Sequence, residues 1–456
     1  MPGFRPQASG SLLLALLASC SGGGEVPGTA ETLQRTPVVV VGMDGLEWSV
    51  LEPLLEEGRL PNFERLIAAG TAGELETFVP TVSPVIWTSI ATGVGLAEHG
   101  IRGFLEIPPG ELQPQEDSLP YTSNCRAVPA LWNLADAAGR SVLAVAWWVS
   151  WPAERLAHGR VVASYAGQAQ AQVLWKPVIH GEGLPELTWP PELQEEILPA
   201  LRDGGPRGPL MADYGALFPR VKTSWAFESG LEPLFQAAWR SDRTHLRIAV
   251  EQLRQEVPDL TLVYFGLPDV AGHFWWRYWR PQDFRYKVPE GKVDRLGPMI
   301  PRAYKEADRW LGEILDAAPP EARILLLSDH GMHAANIHDK KARQSGAHED
   351  APPGVLILAG PEIEKQGLLP EGHRRLGDVY DIAPTVLDWL GLPLPLQMKG
   401  RPLREWMSEA WNRRWPLTTT REAWAGFREP TPPRVPSEEA AGDFEEAILE
   451  QLGYGG

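Results

Sequence analysis

Three apolar runs that each stop at an acid constrain this chain more than any other feature. Residues 36–45 read TPVVVVGMDG, residues 259–269 read DLTLVYFGLPD, and residues 322–331 read ARILLLSDHG. Continuous runs of this kind, without polar alternation, suit strands buried on both faces of a parallel sheet. A carboxylate at the end of a buried strand is costly unless it is paired or bound to a cation. The three runs therefore put charge at the edge where an open α/β sheet gathers its functional groups, just past the carboxyl ends of its strands.

The intervening sequence fits such a sheet. SVLEPLLEEG (49–58) and PNFERLIAAG (61–70) carry apolar residues at helical spacing and each ends in a glycine suited to a helix C-cap. VPALWNLADAAGRSVLAVAWW (128–148) and AYKEADRWLGEILDAAPPEARILLLSDHG (303–331) each read as helix, stop, strand. This alternation predicts an α/β fold with a mostly parallel central sheet and helices on both faces. From about 151 to 234 the pattern breaks into short pieces rich in Pro, Gly and Trp, which reads as a cap inserted on the sheet. DIAPTVLDWLGLP (381–393) predicts a packed helix closing a domain that spans 36–415, and 416–456 reads as a Pro/Glu-rich C-terminal tail.

The chain has 456 residues and a formal net charge of −17. That balance argues against general nucleic-acid binding, because phosphate backbones are gripped by basic surfaces. If such a protein handles phosphate, a local cation must attract it. At the N-terminus, Arg5 precedes the apolar run SLLLALLA (11–18) and then LASC ending at Cys20. This resembles a bacterial lipoprotein signal peptide over 1–20. The run is too short to span a bilayer, which takes roughly 20 apolar residues. The expectation is acylation of Cys20, a flexible tether over 21–35, and a lipid-anchored protein of the bacterial cell envelope, in the periplasm or on the outer membrane. Cys125 then has no disulfide partner and reads as a small buried hydrophobe.

Asp44, Asp269 with His273, Asp329 with His330, and His348 all follow or precede apolar runs. Asp269 and His273 are four apart, so on a helical turn they share a face. Asp329 and His330 are adjacent and must diverge from a bend, which Gly331 makes possible. Each of these signals is weak alone, since a lone DG is commonly a turn and a lone DxxxH a surface pair. Together, three carboxylates and three imidazoles at strand ends predict two divalent cations. Ligation by His and Asp without Cys suits Zn²⁺, with Mn²⁺ as the rival. In FVPTVSPVIWTSIATG (78–93), Ser83 followed by Pro84 reads as the Ncap–N1 pair of a helix running to Ala91 or Thr92. Beside two metals the same hydroxyl is a candidate nucleophile, with Thr81 as the fallback.

In order, GMDG, PTVSPVIWTSIATG, AEHGIRGF, PDVAGH, SDHGM and SGAH resemble the alkaline phosphatase superfamily, in its type I phosphodiesterase/nucleotide pyrophosphatase branch. The resemblance covers roughly residues 36–395 apart from the cap. It implies Asp44, Asp329 and His330 at one metal, Asp269, His273 and His348 at the other, and Ser83 at the nucleophile position between them. It also implies a phosphodiesterase that works through a covalent phosphoserine on a small-molecule or headgroup phosphoester. The alternatives are a phosphomonoesterase or a transferase of phosphoryl-linked headgroups. Nucleotide pyrophosphatases carry threonine where this chain has Ser83. The SPVIW sequence lacks the Cys/Ser-x-Pro-x-Arg signature of the related sulfatases. From a different class, the tryptophan-rich stretch between Trp147 and Trp279 allows a glycan-binding surface lipoprotein, and Arg277 or Arg280 is a candidate contact for a substrate anion.

Overall fold

A computed structural model describes residues 36–433 apart from 109, 112–113, 116–117, 168–183, 351 and 425. The expected signal segment with Cys20, the 21–35 tether and the part of the tail beyond 433 lie outside the described residues. The first run forms β1 (Val38–Met43), followed by helices α1 (Trp48–Glu56) and α2 (Pro61–Ala68), then β2 (Gly70–Glu76) and α3 (Ser83–Thr92). Next come α4 (Leu131–Ala137), β3 (Val142–Val145), β4 (Gly159–Val162), β5 (Thr188–Trp189) and the long α5 (Ala226–Gln255). The second run is β6 (Leu260–Phe265), continuing into α6 (Leu267–Trp279) and α7 (Met299–Ala317), and the third is β7 (Arg323–Leu327). The short β8 (His333–Ala334) and β9 (Gly346–Ala347) precede β10 (Gly354–Ala359), β11 (Gly367–Leu368), β12 (Arg375–Asp378) and α8 (Ile382–Trp389).

One large sheet runs in the order β11-β2-β10-β7-β1-β6-β3-β4-β5, with β12 also paired to β2. β7, β1, β6, β3 and β4 are mutually parallel, and β10 and β5 are antiparallel to their neighbours. Every residue of β1, β6 and β7 is buried, as the unbroken apolar runs require. Helices surround the sheet. In α7, Ile300, Ala303, Tyr304, Ala307, Leu311 and Ile314 form a buried stripe at three- and four-residue spacing.

Strand register sets the site. Gly42 of β1 pairs with Tyr264 of β6 on one side and Leu327 of β7 on the other, so two residues further on Asp44 and Asp329 emerge level with each other. β10 runs against β7, with Leu356 opposite Leu327. The chain therefore enters β10 at that same edge, which is why His348 arrives there. Glycines permit the crowding. Gly45 has φ +68°, and a Cβ there would lie 2.7 Å from the Cα of Asp269. Gly331 is required by close approach, since a Cβ would sit 2.4 Å from Glu47 Oε2.

Two stretches differ from expectation. Within 151–234, read from the sequence as an inserted cap, β4 and β5 hydrogen-bond into the central sheet, so this part of the interval extends the sheet edge. The segment after 416 packs back on the domain as far as it is described: Thr419–Thr420 pairs with Leu394–Pro395, and the Thr431 N–H donates to Asn124 O at 2.9 Å. Among the described residues no helix is long and apolar enough to cross a membrane. Trp87, Trp132, Trp147, Trp239, Trp275, Trp310 and Trp389 are fully buried, so these rings fill the core and are unavailable to a glycan.

Candidate active site

Asp44 leaves β1 with its N–H bonded to Phe265 O at 2.9 Å. Its Oδ2 accepts two hydrogen bonds, from Trp87 Nε1 at 2.9 Å and from Tyr264 OH at 2.7 Å. The other oxygen, Oδ1, is thereby turned to His330 Nε2, 3.3 Å away, and Asp329 Oδ2 stands 3.3 Å from the same nitrogen. Asp269 lies in the first turn of α6, and its Oδ1 is 3.2 Å from His273 Nε2 and 3.8 Å from His348 Nε2. The shared helical face expected for Asp269 and His273 is thus present.

Asp44, Asp329 and His330 form one group whose ligand atoms lie within 4.8 Å of one another, and Asp269, His330 and His348 form a second. The partition differs from the expected one in a single member. His330 stands between both groups, its ring stacked on that of His348 with centroids 3.7 Å apart, while His273 faces Asp269.

The donor set fits divalent cations. Asp44 Oδ1, Asp269 Oδ1, both oxygens of Asp329 and His330 Nε2 are buried without a hydrogen-bond partner among the described residues, although several approach one another closely. Such atoms, facing one another without forming hydrogen bonds, are placed as ligands to a shared cation would be. Two ligands each about 2.0–2.1 Å from a tetrahedral cation are about 3.3–3.4 Å apart, matching the 3.3 Å from His330 Nε2 to either carboxylate. His330 Nδ1 lies 2.9 Å from Gly331 O and His273 Nδ1 lies 2.8 Å from Gly346 O. Donation of Nδ1–H to a carbonyl leaves Nε2 of the neutral ring with a free lone pair, the arrangement found in metal-bound histidines.

Electrostatics agree. Burial, then the charge of Asp269, pushes Asp44 up to about 6, and burial together with Asp44 and Asp269 holds Asp329 well above the carboxylate range. Burial pushes His330 and His348 down to about 4. Burial would also raise Asp269, but the charges of His273 and His348 outweigh it and hold this carboxyl below its ordinary value. For His273 the pull of Asp269 outweighs burial and pushes the ring up to about 9, so a proton and a cation compete for its Nε2. Positive charge placed among these groups would relieve the repulsion between the carboxylates.

Ser83 opens α3 as its first helical residue; Val82 takes the N-cap position, and no side chain caps the helix. The capping role expected for the Ser83 hydroxyl is therefore absent. Trp87, one turn further along α3, reaches Asp44, and Thr81 donates to His348 O at 2.6 Å. Ser83 thus lies on a segment tied to both ligand groups, and the competing hydroxyl of Thr81 is already engaged. Arg277 and Arg280 do not serve as expected: Arg277 donates to the carbonyls of Lys340 and Ala342, and Arg280 donates to Ser49 O at 2.8 Å.

Several supporting residues were not evident from the sequence. Glu47 accepts the Ser49 and Met332 N–H groups, and Ser328 Oγ accepts the Leu46 N–H and donates to His330 O, so the loops after β1 and β7 are stitched together. Asp242 of α5 accepts the Gly266 and Leu267 N–H groups at the start of α6. Tyr264 was the one with a visible cue, a phenol inside a fully buried strand, which needs a polar partner.

Comparison with known proteins agrees with this geometry. The family described as type I phosphodiesterase / nucleotide pyrophosphatase matches residues 38–382. A 2,3-bisphosphoglycerate-independent phosphoglycerate mutase of Paracoccus denitrificans is 30% identical over 146 residues, 32% of this chain and 23% of the mutase. The matched stretch thus spans about a quarter of the length of that relative. Among solved structures, phosphonoacetate hydrolase from Sinorhizobium meliloti in complex with phosphonoacetate aligns with a TM-score of 0.42 at 19% identity, over 66% of this chain and 58% of that one. Murine ectonucleotide pyrophosphatase / phosphodiesterase 5 aligns with a TM-score of 0.47 at 14% identity, over 82% of this chain and all of that one. With the strand-end acids and imidazoles brought together and the family match running from β1 into α8, the chain belongs to the type I phosphodiesterase / nucleotide pyrophosphatase family.

Proposed function

We propose that this protein is a two-metal phosphodiesterase in which Ser83 is the nucleophile. Family membership supports a phosphoester hydrolase. The observation that carries the finer reading is the set of unpartnered buried oxygens and nitrogens on Asp44, Asp269, Asp329 and His330, spaced as ligands and not as hydrogen-bond partners. Asp44, Asp329 and His330 would hold one cation and Asp269, His273 and His348 the other, with Zn²⁺ favoured by the donor set. When bound, the cations supply the positive charge that ionises a serine hydroxyl at neutral pH and stabilises a departing oxygen.

The chain's own groups do the rest. Ser83 sits at the N-terminus of α3, where backbone N–H groups and the dipole favour a phosphate oxygen. Its Oγ attacks phosphorus in line, the Oγ–P bond forms, the P–O bond to the leaving alcohol breaks, and the proton given up by the Ser83 hydroxyl goes to the leaving oxygen. Water then attacks the seryl phosphoester, its oxygen bonds to phosphorus, the Oγ–P bond breaks, and one water proton passes to Ser83 Oγ. Two inversions give overall retention at phosphorus. Ser83→Ala is expected to lower hydrolysis of bis-(p-nitrophenyl) phosphate by about 10³-fold or more, with metal content unchanged. Wild-type rates in the metal-loaded variant would remove Ser83 from the reaction. Comparing that diester with p-nitrophenyl phosphate separates diesterase from monoesterase.

We also propose that the protein is exported and held at the bacterial cell envelope by acylation of Cys20. Cys20→Ser is expected to move it from the detergent phase to the aqueous phase in a phase-partition assay.

A further inference from the structure

Between the ligand pair Asp329–His330 and the ligand His348, the chain folds into a β-hairpin. β8 pairs antiparallel with β9, His333 opposite Ala347 and Ala334 opposite Gly346. Its loop, 335–345, reads ANIHDKKARQS. Lys340, Lys341 and Arg343 are all exposed, and so is Arg285, whose backbone N–H donates to Ile337 O at 2.9 Å. Among the described residues none of these four cationic side chains forms an ion pair. Asp339, the one acid in the loop, accepts the Lys341 backbone N–H, and Asp350 pairs with His333 at 2.6 Å.

The loop is held from below. Arg277, 3% exposed, donates to Lys340 O at 3.1 Å, to Ala342 O, and to Gln344 O at 3.5 Å. Its backbone N–H meets Ser345 Oγ at 3.3 Å, and the Ser345 N–H donates to His273 O at 2.6 Å. Asp269, His273 and Arg277 follow one another at four-residue intervals on α6 and so share one face. At a rise of 1.5 Å per residue, Arg277 lies about 12 Å along the helix from Asp269. The backbone of the cationic loop is thus tied to a side chain that leaves α6 about 12 Å along the helix from Asp269, the same helix that carries two of the proposed ligands.

A protein with net charge −17 repels anions over most of its surface. Exposed cations without ion pairs, on a loop tied to the helix that carries Asp269 and His273, oppose that field locally. We propose that the hairpin tip is a second anion-binding element, and that the natural substrate carries a second anionic group about 10–15 Å from the scissile phosphoester. This rests on the phosphodiesterase reading of the site.

The test uses two p-nitrophenyl phosphodiesters of 1,8-octanediol, one with its far hydroxyl free and one with it phosphorylated. At low ionic strength the wild-type protein is expected to show a kcat/KM about tenfold or more higher for the phosphorylated ester. That preference should shrink to about twofold in about 0.5 M NaCl, where the Debye length is only a few ångströms. K340E/K341E/R343E should abolish the preference, and K340Q/K341Q/R343Q should halve it on a logarithmic scale. No preference in the wild type, or equal losses on both esters in the variants, overturns the proposal. If the wild type cleaves neither ester, the hydrolase reading fails and the subsite is judged by binding alone. Tripolyphosphate measured by calorimetry should then bind the wild type about tenfold or more tighter than K340E/K341E/R343E; equal affinity, or no binding to either, overturns the subsite.

Discussion

At the residue scale, the orientation of Asp44 is decided by two neighbours that are distant in sequence. Trp87 and Tyr264 both donate to Oδ2, which fixes the carboxylate plane and leaves Oδ1 toward His330. Outer partners of this kind typically hold metal affinity up by 10- to 100-fold. Tyr264→Phe removes one donor while keeping the buried ring. It is expected to weaken metal binding about tenfold and lower stability by about 1 kcal/mol. Competition against a chelating dye checks the first and urea unfolding the second. Unchanged metal affinity would mean that Trp87 alone orients the acid.

At the element scale, the turn after α3 depends on a neutral imidazole. His99 is fully buried, its Nδ1 accepts the Ile101 N–H at 3.1 Å, and its Nε2 faces Ser89 Oγ at 3.1 Å. Because Ser89 Oγ donates to Val85 O at 3.0 Å, the Nε2–H donates to Ser89 in the neutral ring. Burial, then the charge of Arg126, pushes His99 down to about 3. The folded value is below the unfolded one near 6.5, so the stability this ring contributes is present above about pH 6.5 and is lost as pH falls toward 3. Between those limits its share of the slope is about 1.4 kcal/mol per pH unit. His99→Gln should flatten the pH dependence of urea unfolding between about pH 6 and 4 by roughly that amount, and an unaltered slope would assign the titration elsewhere. The β8–β9 hairpin gives a second test at this scale. Its loop backbone is gathered onto the buried Arg277 guanidinium, so Arg277→Met should release it. Trypsin cleavage after Lys340, Lys341 or Arg343 is expected to speed up about tenfold or more, read by mass spectrometry of timed digests, and an unchanged cutting rate would show that the stems alone hold the loop.

At the scale of the whole molecule, the sheet gathers at its carboxyl edge carboxylates that repel one another and that the proposed cations would join. Asp44, Asp269 and Asp329 follow three adjacent parallel strands, β1, β6 and β7. Chelation should therefore lower Tm by several degrees in scanning calorimetry, and Zn²⁺ should restore it, because a ligand that binds only the folded state stabilises it by mass action. An identical Tm with and without chelator would argue that the acids are satisfied some other way. Much of this molecule was legible in its residues. An unbroken β-branched run such as VVVVGM suits a doubly buried strand, which puts its acid at the sheet's edge, and the four-residue spacing of Asp269 and His273 lets them share one face of a helix. Local pattern could not show that Val82, not Ser83, takes the N-cap position of α3, because that depends on backbone angles set by the packing of the preceding segment. Nor could it show that β4 and β5 join the sheet, since two to four residues carry no period long enough to read. Side-chain chemistry and local periodicity were enough to say which residues carry charge and on what kind of element most of them sit. Who meets whom came from the folded chain: His330 between both ligand groups, Arg277 under a loop, Tyr264 on Asp44. Those pairings arise from strand register and helix packing across 63 residues for Arg277 and Lys340 and 220 for Tyr264 and Asp44, for which a single chain's local pattern holds no record.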